Sequence, residues 1–346
     1  MLSAAADSVV PMGNGHINDT YLICCHDGCK YTLQRINKYV FPCVKELMEN
    51  IDKVTSYLCN TYCDNDTKCM RVVTTTDGNL YSEVDGEYWR VLTYIDGCKT
   101  VEQVETPSDF YYAARAFGRF AKQMSGFDAS TLFDVIPGFH DTAARYKHFE
   151  DVLLKDSAAR AENVIKEIEL IKSRKADTHI VTDLLSSGAL PLRVTHNDTK
   201  INNVMLDKIT GFPRAVIDLD TVMCGSILYD YGDSIRSGAN TAAEDEQDTD
   251  KASLDLELFE EFSKGYLYEC KDMLCEKEKE LLPFSVKLLA LELGMRFLDD
   301  YLSGDLYFKT DYPEHNLYRA RTQLRLMTDV EAKEAVMAEI VSRYTA

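Results

Sequence analysis

The stretch that decides the fold spans residues 193–220 and reads RVTHNDTKINNVMLDKITGFPRAVIDLD. A short apolar strand leads into a polar loop at residues 196–203, and the chain returns through a second apolar run. After a turn, a third apolar run ends at Asp218. Two neighbouring strand ends are therefore predicted to bring Asp198, Asn203 and Asp218 together.

These residue types suit phosphoryl transfer. That reaction needs a carboxylate to orient the attacking hydroxyl and hard oxygen ligands for Mg²⁺. Asp198 is predicted to orient and deprotonate the acceptor hydroxyl. Asn203 and Asp218 are predicted to bind Mg²⁺, with Asp220 beside them as a further group for the metal.

The order His196-x-Asp198-x-Lys200-x-x-Asn203 resembles the catalytic loop H-x-D-x-K-x-x-N of protein kinases. Asp218 follows Asn203 by fifteen residues, where the metal-binding aspartate of the kinase D-F-G motif would lie. Here the triplet is D-L-D, a form typical of the aminoglycoside phosphotransferase and choline kinase group. The chain is therefore similar to ATP-dependent kinases of small alcohols.

This resemblance implies an α+β, protein-kinase-like bilobal fold. Residues 1–96 would form a small β-rich, ATP-binding N-terminal lobe. Residues 97–346 would form a larger helical lobe with the catalytic loop and the acceptor site. The resemblance also implies that Lys200 contacts the γ-phosphate of ATP, while His196 braces the loop by hydrogen bonding.

The sequence patterns agree with a β-rich first lobe. A first strand is expected at residues 7–12, a hairpin at 20–37, a helix at 42–60 and a second hairpin within 69–95. Beyond residue 97 the periodicity becomes helical. Helices are predicted at residues 107–125, 142–173, 254–278, 283–301 and 316–343.

Gly13 and Gly15 lie between two predicted strands, where a kinase glycine-rich loop would cover the phosphates of ATP. The connector between the lobes contains Tyr94 and Asp96, and the adenine is expected to bind against it. One departure concerns the lysine that binds the phosphates from the third strand of protein kinases: here the position is Gln34. The sequence leaves open how that positive charge is replaced, with Mg²⁺ and the catalytic-loop lysine as candidates.

Several longer phrases resemble the bacterial N-acetylhexosamine 1-kinase family from about residue 11 to 326. They are GNGHINDTYL, LQRIN, RVTHNDTKINNVMLD, AVIDLDTVMCGSILYDYGDSIR, ELLPFS, GMRFLDDYLSGDLYF and YPEHNL. This resemblance implies phosphorylation of the anomeric hydroxyl of N-acetylglucosamine or N-acetylgalactosamine, with His16, Asp198, Arg296 and Tyr307 at the sugar. The residue types also allow other roles: a loop cap for His16, an ion pair for Arg296 and a core position for Tyr307.

Composition excludes other classes of function. The formal net charge of −19 argues against nucleic acid, which requires a basic face. No apolar run approaches the length of a membrane span, and the N-terminus has no signal-peptide pattern, so a cytoplasmic protein without a membrane partner is expected. The oligomeric state is left open.

Two alternatives to a sugar kinase remain open at this point. One is a kinase of another small alcohol, such as choline, homoserine or an aminoglycoside. Choline would call for an aromatic cage around its ammonium group. The other is a pseudokinase that binds nucleotide without catalysis, an idea motivated by the missing strand lysine.

Overall fold

The structure is a computed structural model that describes residues 2–13, 17–62 and 68–345. Its N-terminal part contains a five-stranded antiparallel sheet with the strand order β1-β2-β3-β5-β4. A single helix, α1, follows β3 in the chain. The elements are β1 (Ala6–Pro11), β2 (Asp19–Cys25), β3 (Lys30–Ile36), α1 (Val44–Tyr62), β4 (Ser82–Val84) and β5 (Glu87–Thr93).

The hairpins turn where the sequence predicts. Gly28 lies in the β2–β3 turn with φ of 83°, and the β4–β5 turn has positive φ at both Asp85 and Gly86. A type I′ turn requires this conformation at its two central residues. The residues before Ser82, expected to form the first strand of the second hairpin, are largely irregular. They form one isolated β-bridge, between Val72 and Leu92.

Helix α1 packs on the second part of the chain. Its apolar face includes Leu47, Met48 and Ile51, all fully buried. These side chains share a hydrophobic cluster with Phe120 and Val222 from the helical part. This shared cluster joins α1 and the N-terminal sheet to the part of the chain that carries the catalytic motif.

The rest of the chain is mainly helical and carries two small sheets, β6-β8-β9 and β10-β7. The strands are β6 (Cys98–Lys99), β7 (Arg193–Thr195), β8 (Val204–Asp207), β9 (Pro213–Val216) and β10 (Met223–Gly225). The helices are α2 (Pro107–Met124), α3 (Thr142–Lys155), α4 (Ile165–Lys172), α5 (Asp177–Ser186), α6 (Ile227–Gly238), α7 (Leu256–Cys270), α8 (Glu276–Ser303) and α9 (His315–Thr345). Their buried faces form one large hydrophobic core.

Three helix predictions are wrong in detail, one of them 254–278, where α7 already ends at Cys270. The segment 142–173 is not one helix, since Asp156 and Ala159 adopt positive φ and end α3. Helix α8 begins at Glu276, seven residues before the predicted start at Pro283, because Glu278 accepts a hydrogen bond from the backbone N–H of Cys275 in a capping box. Pro283 lies inside the helix.

The predicted fold class, an α+β fold with a β-rich first part and a helical second part, is confirmed. The division at residue 96 stays a prediction. Within the described residues, no helix combines the length and apolar character needed to cross a membrane.

Candidate active site

The catalytic-motif loop, residues 196–203, leaves β7 and is held from behind by α6. The Asp230 carboxylate accepts hydrogen bonds from the backbone N–H groups of His196 at 2.8 Å and Asn197 at 2.7 Å. The hydroxyl of Thr199 donates to the backbone carbonyl of Asp230 at 2.7 Å. Asn197 has a φ of 64°, a conformation that asparagine tolerates better than most residues. These contacts fix the loop backbone.

His196 is fully buried beneath this loop. Its Nε2 lies 2.9 Å from the carbonyl of Ile217, and its Nδ1 accepts from the N–H of Asp198. The ring also packs edge-on against Phe117 and Phe120. The contacts of His196 brace the loop against the strand end.

Asp198, Lys200 and Asn203 converge at the open side of the loop. Lys200 Nζ lies 2.8 Å from Asp198 Oδ1. The Asn203 amide donates to the Asp198 carbonyl at 2.8 Å and more weakly to Oδ2 at 3.3 Å. Burial lowers the pKa of Lys200, but the Asp198 carboxylate outweighs it and the net shift is upward. The lysine is therefore a fixed cation beside an oriented carboxylate.

Asp218 stands at the end of β9, opposite this group. It has a left-handed backbone with φ of 59°, and the N–H of Ile217 donates to the Asn203 carbonyl at 2.9 Å, which joins the two strand ends. The residue is exposed. The surrounding protein still reduces its hydration, and this desolvation, with repulsion from Asp220 and Asp198, raises the pKa of Asp218 to about 6.

Asp220 differs from its two neighbours because it is buried and partnered on both oxygens. Its Oδ1 lies 2.6 Å from Nη1 of Arg90, and its Oδ2 accepts from the Asn18 amide at 2.7 Å. Both partners come from the N-terminal sheet region. Asp220 therefore links that region to the D-L-D strand end.

The donor set fits a divalent cation. Crowded carboxylates at Asp198 and Asp218 repel each other, and a bound cation would relieve that repulsion. Among residues 2–13, 17–62 and 68–345, no three His, Cys, Asp or Glu side chains form a ready-made metal cluster. Mg²⁺ in phosphotransferase sites needs only one or two carboxylates, with substrate phosphates and water completing its shell. Asn203 and Asp218 are the residues that would hold it.

The residues predicted to bind the nucleotide are only partly among the described residues. Gly13 has a φ of 79°, as a tight glycine turn requires, whereas Gly15 and His16 lie outside the described residues. At the connector, Lys30 Nζ lies 3.4 Å from an Asp96 oxygen and 5.6 Å from the ring centroid of Tyr94. The hydrogen bond from the Gly97 N–H and the charge of Lys30 lower the pKa of Asp96.

Gln34, which the resemblance assigns to the position of the protein-kinase lysine, lies on β3. Its Nε2 donates to the hydroxyl of Thr20 at 3.1 Å, and its Oε1 accepts from Nε of Arg90 at 2.9 Å. Gln34 is therefore an uncharged bridge between two strands. The positive charge at this position of the sheet belongs to Arg90.

Arg296 lies in a polar group on the other side of α6, which we call the Arg145–Arg296 cluster. The guanidinium groups of Arg145 and Arg296 lie 6.0 Å and 5.7 Å from the Phe139 ring centroid. Glu292 joins Arg145 Nε at 3.1 Å and His140 Nδ1 at 2.9 Å. The cluster consists of Phe139, His140, Arg145, Glu292, Arg296 and Asp299.

Three polar atoms in this cluster, among the described residues, are buried and have no hydrogen-bond partner: His140 Nε2, Asp299 Oδ1 and Glu292 Oε1, the last of which has only its ion pair with Arg145. The electrostatic influence of His140 extends through α6 to Asp230, the residue that holds the catalytic loop. Tyr307 is 73% exposed, so its possible core position is excluded. It is close enough to act electrostatically on Arg145.

Asp299 gives a testable pH dependence. Burial raises its pKa to about 8, although both arginines oppose the shift. The folded protein therefore keeps a proton that the unfolded chain releases near pH 4, so the free energy of unfolding falls as pH rises from about 4 to 8. Asp299→Asn should not lose stability between about pH 4 and 8 in this way. Its free energy of unfolding at pH 8 should exceed that of the wild type by on the order of 1–3 kcal/mol. Urea unfolding at pH 5 and 8 measures it, with the exposed Asp183→Asn as control. Equal pH slopes for Asp299→Asn and wild type would contradict the assignment.

A model of the Phosphotransferase enzyme family, APH, matches residues 8–263. The match covers more than half of the chain and includes the loop and both strand ends described above. The protein therefore belongs to the APH phosphotransferase family.

Solved structures show the same fold at low identity. A microcompartment-associated aminopropanol kinase has a TM-score of 0.63 and 17% identity over 97% of this chain and 95% of its own. Choline kinase from Cryptosporidium parvum Iowa II has a TM-score of 0.55 and 16% identity, covering 96% and 91%. Spectinomycin phosphotransferase, solved with ADP and spectinomycin, has a TM-score of 0.56 and 13% identity, covering 94% and 92%. The predicted kinase-like fold is thereby confirmed.

Three structural residues escaped prediction from the sequence. Asp230 holds the catalytic loop, while Arg90 and Asn18 hold Asp220. The available signal was weak. Each is a polar residue within an apolar or mixed segment, and its partner is 33 or more residues away in the sequence.

Proposed function

We propose that this protein transfers the γ-phosphoryl group of ATP to the anomeric hydroxyl of an N-acetylhexosamine. Membership of the phosphotransferase family and the convergence of Asp198, Lys200 and Asn203 support the transfer chemistry. ATP as donor is supported by the solved relatives, one of which holds ADP and another AMP-PNP. The sugar class is supported by the resemblance of the sequence phrases and by the charge of the Arg145–Arg296 cluster.

The chain's own residues supply the following chemistry. Asp198 accepts the hydrogen of the attacking hydroxyl and orients its oxygen, and Lys200 stabilises negative charge on the transferred phosphoryl group. Asn203 and Asp218 would hold a magnesium ion, which when bound would neutralise charge on the phosphates. A loose transition state needs little activation of the nucleophile, so a carboxylate such as that of Asp198 suffices as the base.

The choice of acceptor rests on the resemblance of the sequence phrases, and the charge of the Arg145–Arg296 cluster agrees with it. Asp299, whose pKa is about 8, is mostly protonated at neutral pH. Burial would raise the pKa of Glu292, but His140 and Arg145 lower it overall, so Glu292 is ionised. Two arginines then face one carboxylate. A cationic acceptor would be repelled here, whereas a neutral polyol with hydroxyl and acetamido groups can hydrogen-bond to the cluster.

The second candidate is a kinase of a cationic amino alcohol. Solved relatives are described as aminopropanol, choline and ethanolamine kinases, which favours this class at the level of the fold. Such a substrate would require carboxylates or an aromatic cage at its ammonium group. Homoserine and aminoglycosides belong to the same comparison, because each also carries an amine.

An acceptor panel tests the proposal. We expect ADP formation with N-acetylglucosamine or N-acetylgalactosamine in the presence of ATP and Mg²⁺. We expect at least about tenfold lower kcat/KM with choline, ethanolamine, aminopropanol, homoserine or an aminoglycoside, the scale of one unfavourable charge contact. Turnover only with an amine would contradict the substrate class. Nucleotide binding without turnover on any acceptor would favour a pseudokinase.

A further inference from the structure

Arg90 lies directly across the sheet from the position where protein kinases carry their phosphate-binding lysine. Gln34 on β3 is the register partner of Arg90 on β5. Neighbouring strands place such partners about 5 Å apart, so the two side chains share one location in the sheet. Arg90 is only 2% exposed, and is the largest fully buried side chain among the described residues.

The guanidinium is fixed by contacts on two sides. Nε donates to Gln34 Oε1 at 2.9 Å, and Nη1 pairs with Asp220 Oδ1 at 2.6 Å. Helix α1 contacts the guanidinium through the sulfur of Met48, which lies 4.0 Å from Nη1 of Arg90. In protein kinases the strand lysine pairs with a glutamate of the helix that follows it. The acidic partner of Arg90 is instead Asp220, two residues after the candidate metal ligand Asp218.

This pair is buried at both ends, with side-chain exposures of 2% and 5%. Burying two charges costs several kcal/mol per ion before their attraction offsets it, and apolar residues would fill the same space without that cost. A stability role alone therefore does not explain the arrangement. The pair also joins the N-terminal sheet to the D-L-D strand end, and the charge of Arg90 acts on Asp218.

We propose that Arg90 is a positioning residue that supplies, from β5, the fixed positive charge of the nucleotide–metal site in place of the strand lysine. It acts through Asp220, whose other oxygen is held by Asn18, and so holds the strand end that carries Asp218. Gln34 aligns the guanidinium. This inference rests on the proposed use of ATP and magnesium but does not depend on which acceptor is phosphorylated.

Direct binding of nucleotide, without any acceptor, provides the test. Isothermal titration calorimetry is performed with Mg²⁺·ADP and with adenosine on wild type and Arg90→Met. Adenosine lacks the phosphates that carry the metal, so its Kd should change less than about twofold between wild type and Arg90→Met. This is roughly the size of the effect of an ordinary surface substitution. The Kd for Mg²⁺·ADP should rise about 10- to 100-fold, the scale of truncating one partner of a buried charge pair.

Three further variants separate positioning from a structural role. Arg35→Met removes an arginine from β3 whose partner, Asp19, is at the surface, and should bind both ligands like wild type. Gln34→Lys combined with Arg90→Met returns a cation to the adjacent strand and should recover most of the Mg²⁺·ADP affinity. Asp220→Asn removes the group through which Arg90 acts, and should reproduce the selective loss if Arg90→Met fails to fold.

Equal losses for adenosine and Mg²⁺·ADP, or unchanged Mg²⁺·ADP binding in Arg90→Met or Asp220→Asn, would overturn the inference. So would a Gln34→Lys, Arg90→Met protein that folds without recovering affinity. A wild type that binds no Mg²⁺·ADP would overturn the proposed nucleotide chemistry and this inference with it. A failure confined to the sugar assignment leaves these titrations unaffected.

Discussion

Asp198→Asn should lower kcat by on the order of 10²–10⁴, the range for loss of a general base. Asparagine keeps the shape of the side chain and can still accept a hydrogen bond from Lys200. It cannot accept the proton of the attacking hydroxyl, and it removes the negative charge that orients that proton. Steady-state kinetics with saturating ATP and acceptor measure the effect.

Binding of ADP and the thermal unfolding midpoint should stay close to wild type in Asp198→Asn, since the fixed backbone of the loop depends on Asp230 and not on this side chain. Asp207→Asn, at the end of β8 and outside the catalytic-motif loop, is a matched control and should keep full activity. Turnover at the wild-type rate in a folded Asp198→Asn protein would show that another group activates the acceptor.

Asp218→Ala should nearly abolish magnesium-dependent activity. The residue is exposed at the strand end that is joined to Asn203, where a metal could be shared between protein and phosphates. Loss of a carboxylate ligand should cost about 10²–10³ in kcat/KM at low millimolar Mg²⁺, comparable to removal of one preorganised electrostatic group in an active site.

Asp220→Ala provides the internal comparison for Asp218→Ala. Both oxygens of Asp220 are already engaged by Arg90 and Asn18, so its loss should disturb the site indirectly and by a smaller factor. Activity measured against Mg²⁺ concentration for both variants decides the ranking. If Asp220→Ala raised the Mg²⁺ requirement more than Asp218→Ala, the metal ligand would be Asp220.

The parts of the structure that could be predicted are those encoded locally. The loop from His196 to Asn203 is flanked by apolar strands, so its spacing alone brings Asp198 and Asn203 to one edge. The hairpins follow from turn residues such as Asp85 and Gly86, whose positive φ is compatible with those side chains. Local patterns of this kind do not depend on the rest of the chain.

The parts that could not be predicted depend on contacts between distant segments. Arg90 meets Asp220 across 130 positions of sequence, and neither residue has a local pattern that indicates the other. The Arg145–Arg296 cluster likewise brings together residues far apart in the sequence, from the segment around Phe139 and from α8, with no local pattern that indicates the contact. The end of α3 at Asp156 was missed because positive φ at an aspartate has no strong sequence signal.

Locating the phosphate in the product tests the central proposal most directly. The protein is incubated with ATP, Mg²⁺ and N-acetylglucosamine or N-acetylgalactosamine, and phosphorus–proton NMR coupling identifies the phosphorylated position, with Asp198→Asn as the control reaction. We expect coupling to the anomeric proton, because the ring oxygen makes the anomeric hydroxyl the most acidic one and a carboxylate base can assist its attack. Coupling to the C6 protons, or no sugar phosphate while an amino alcohol is phosphorylated, would contradict the account.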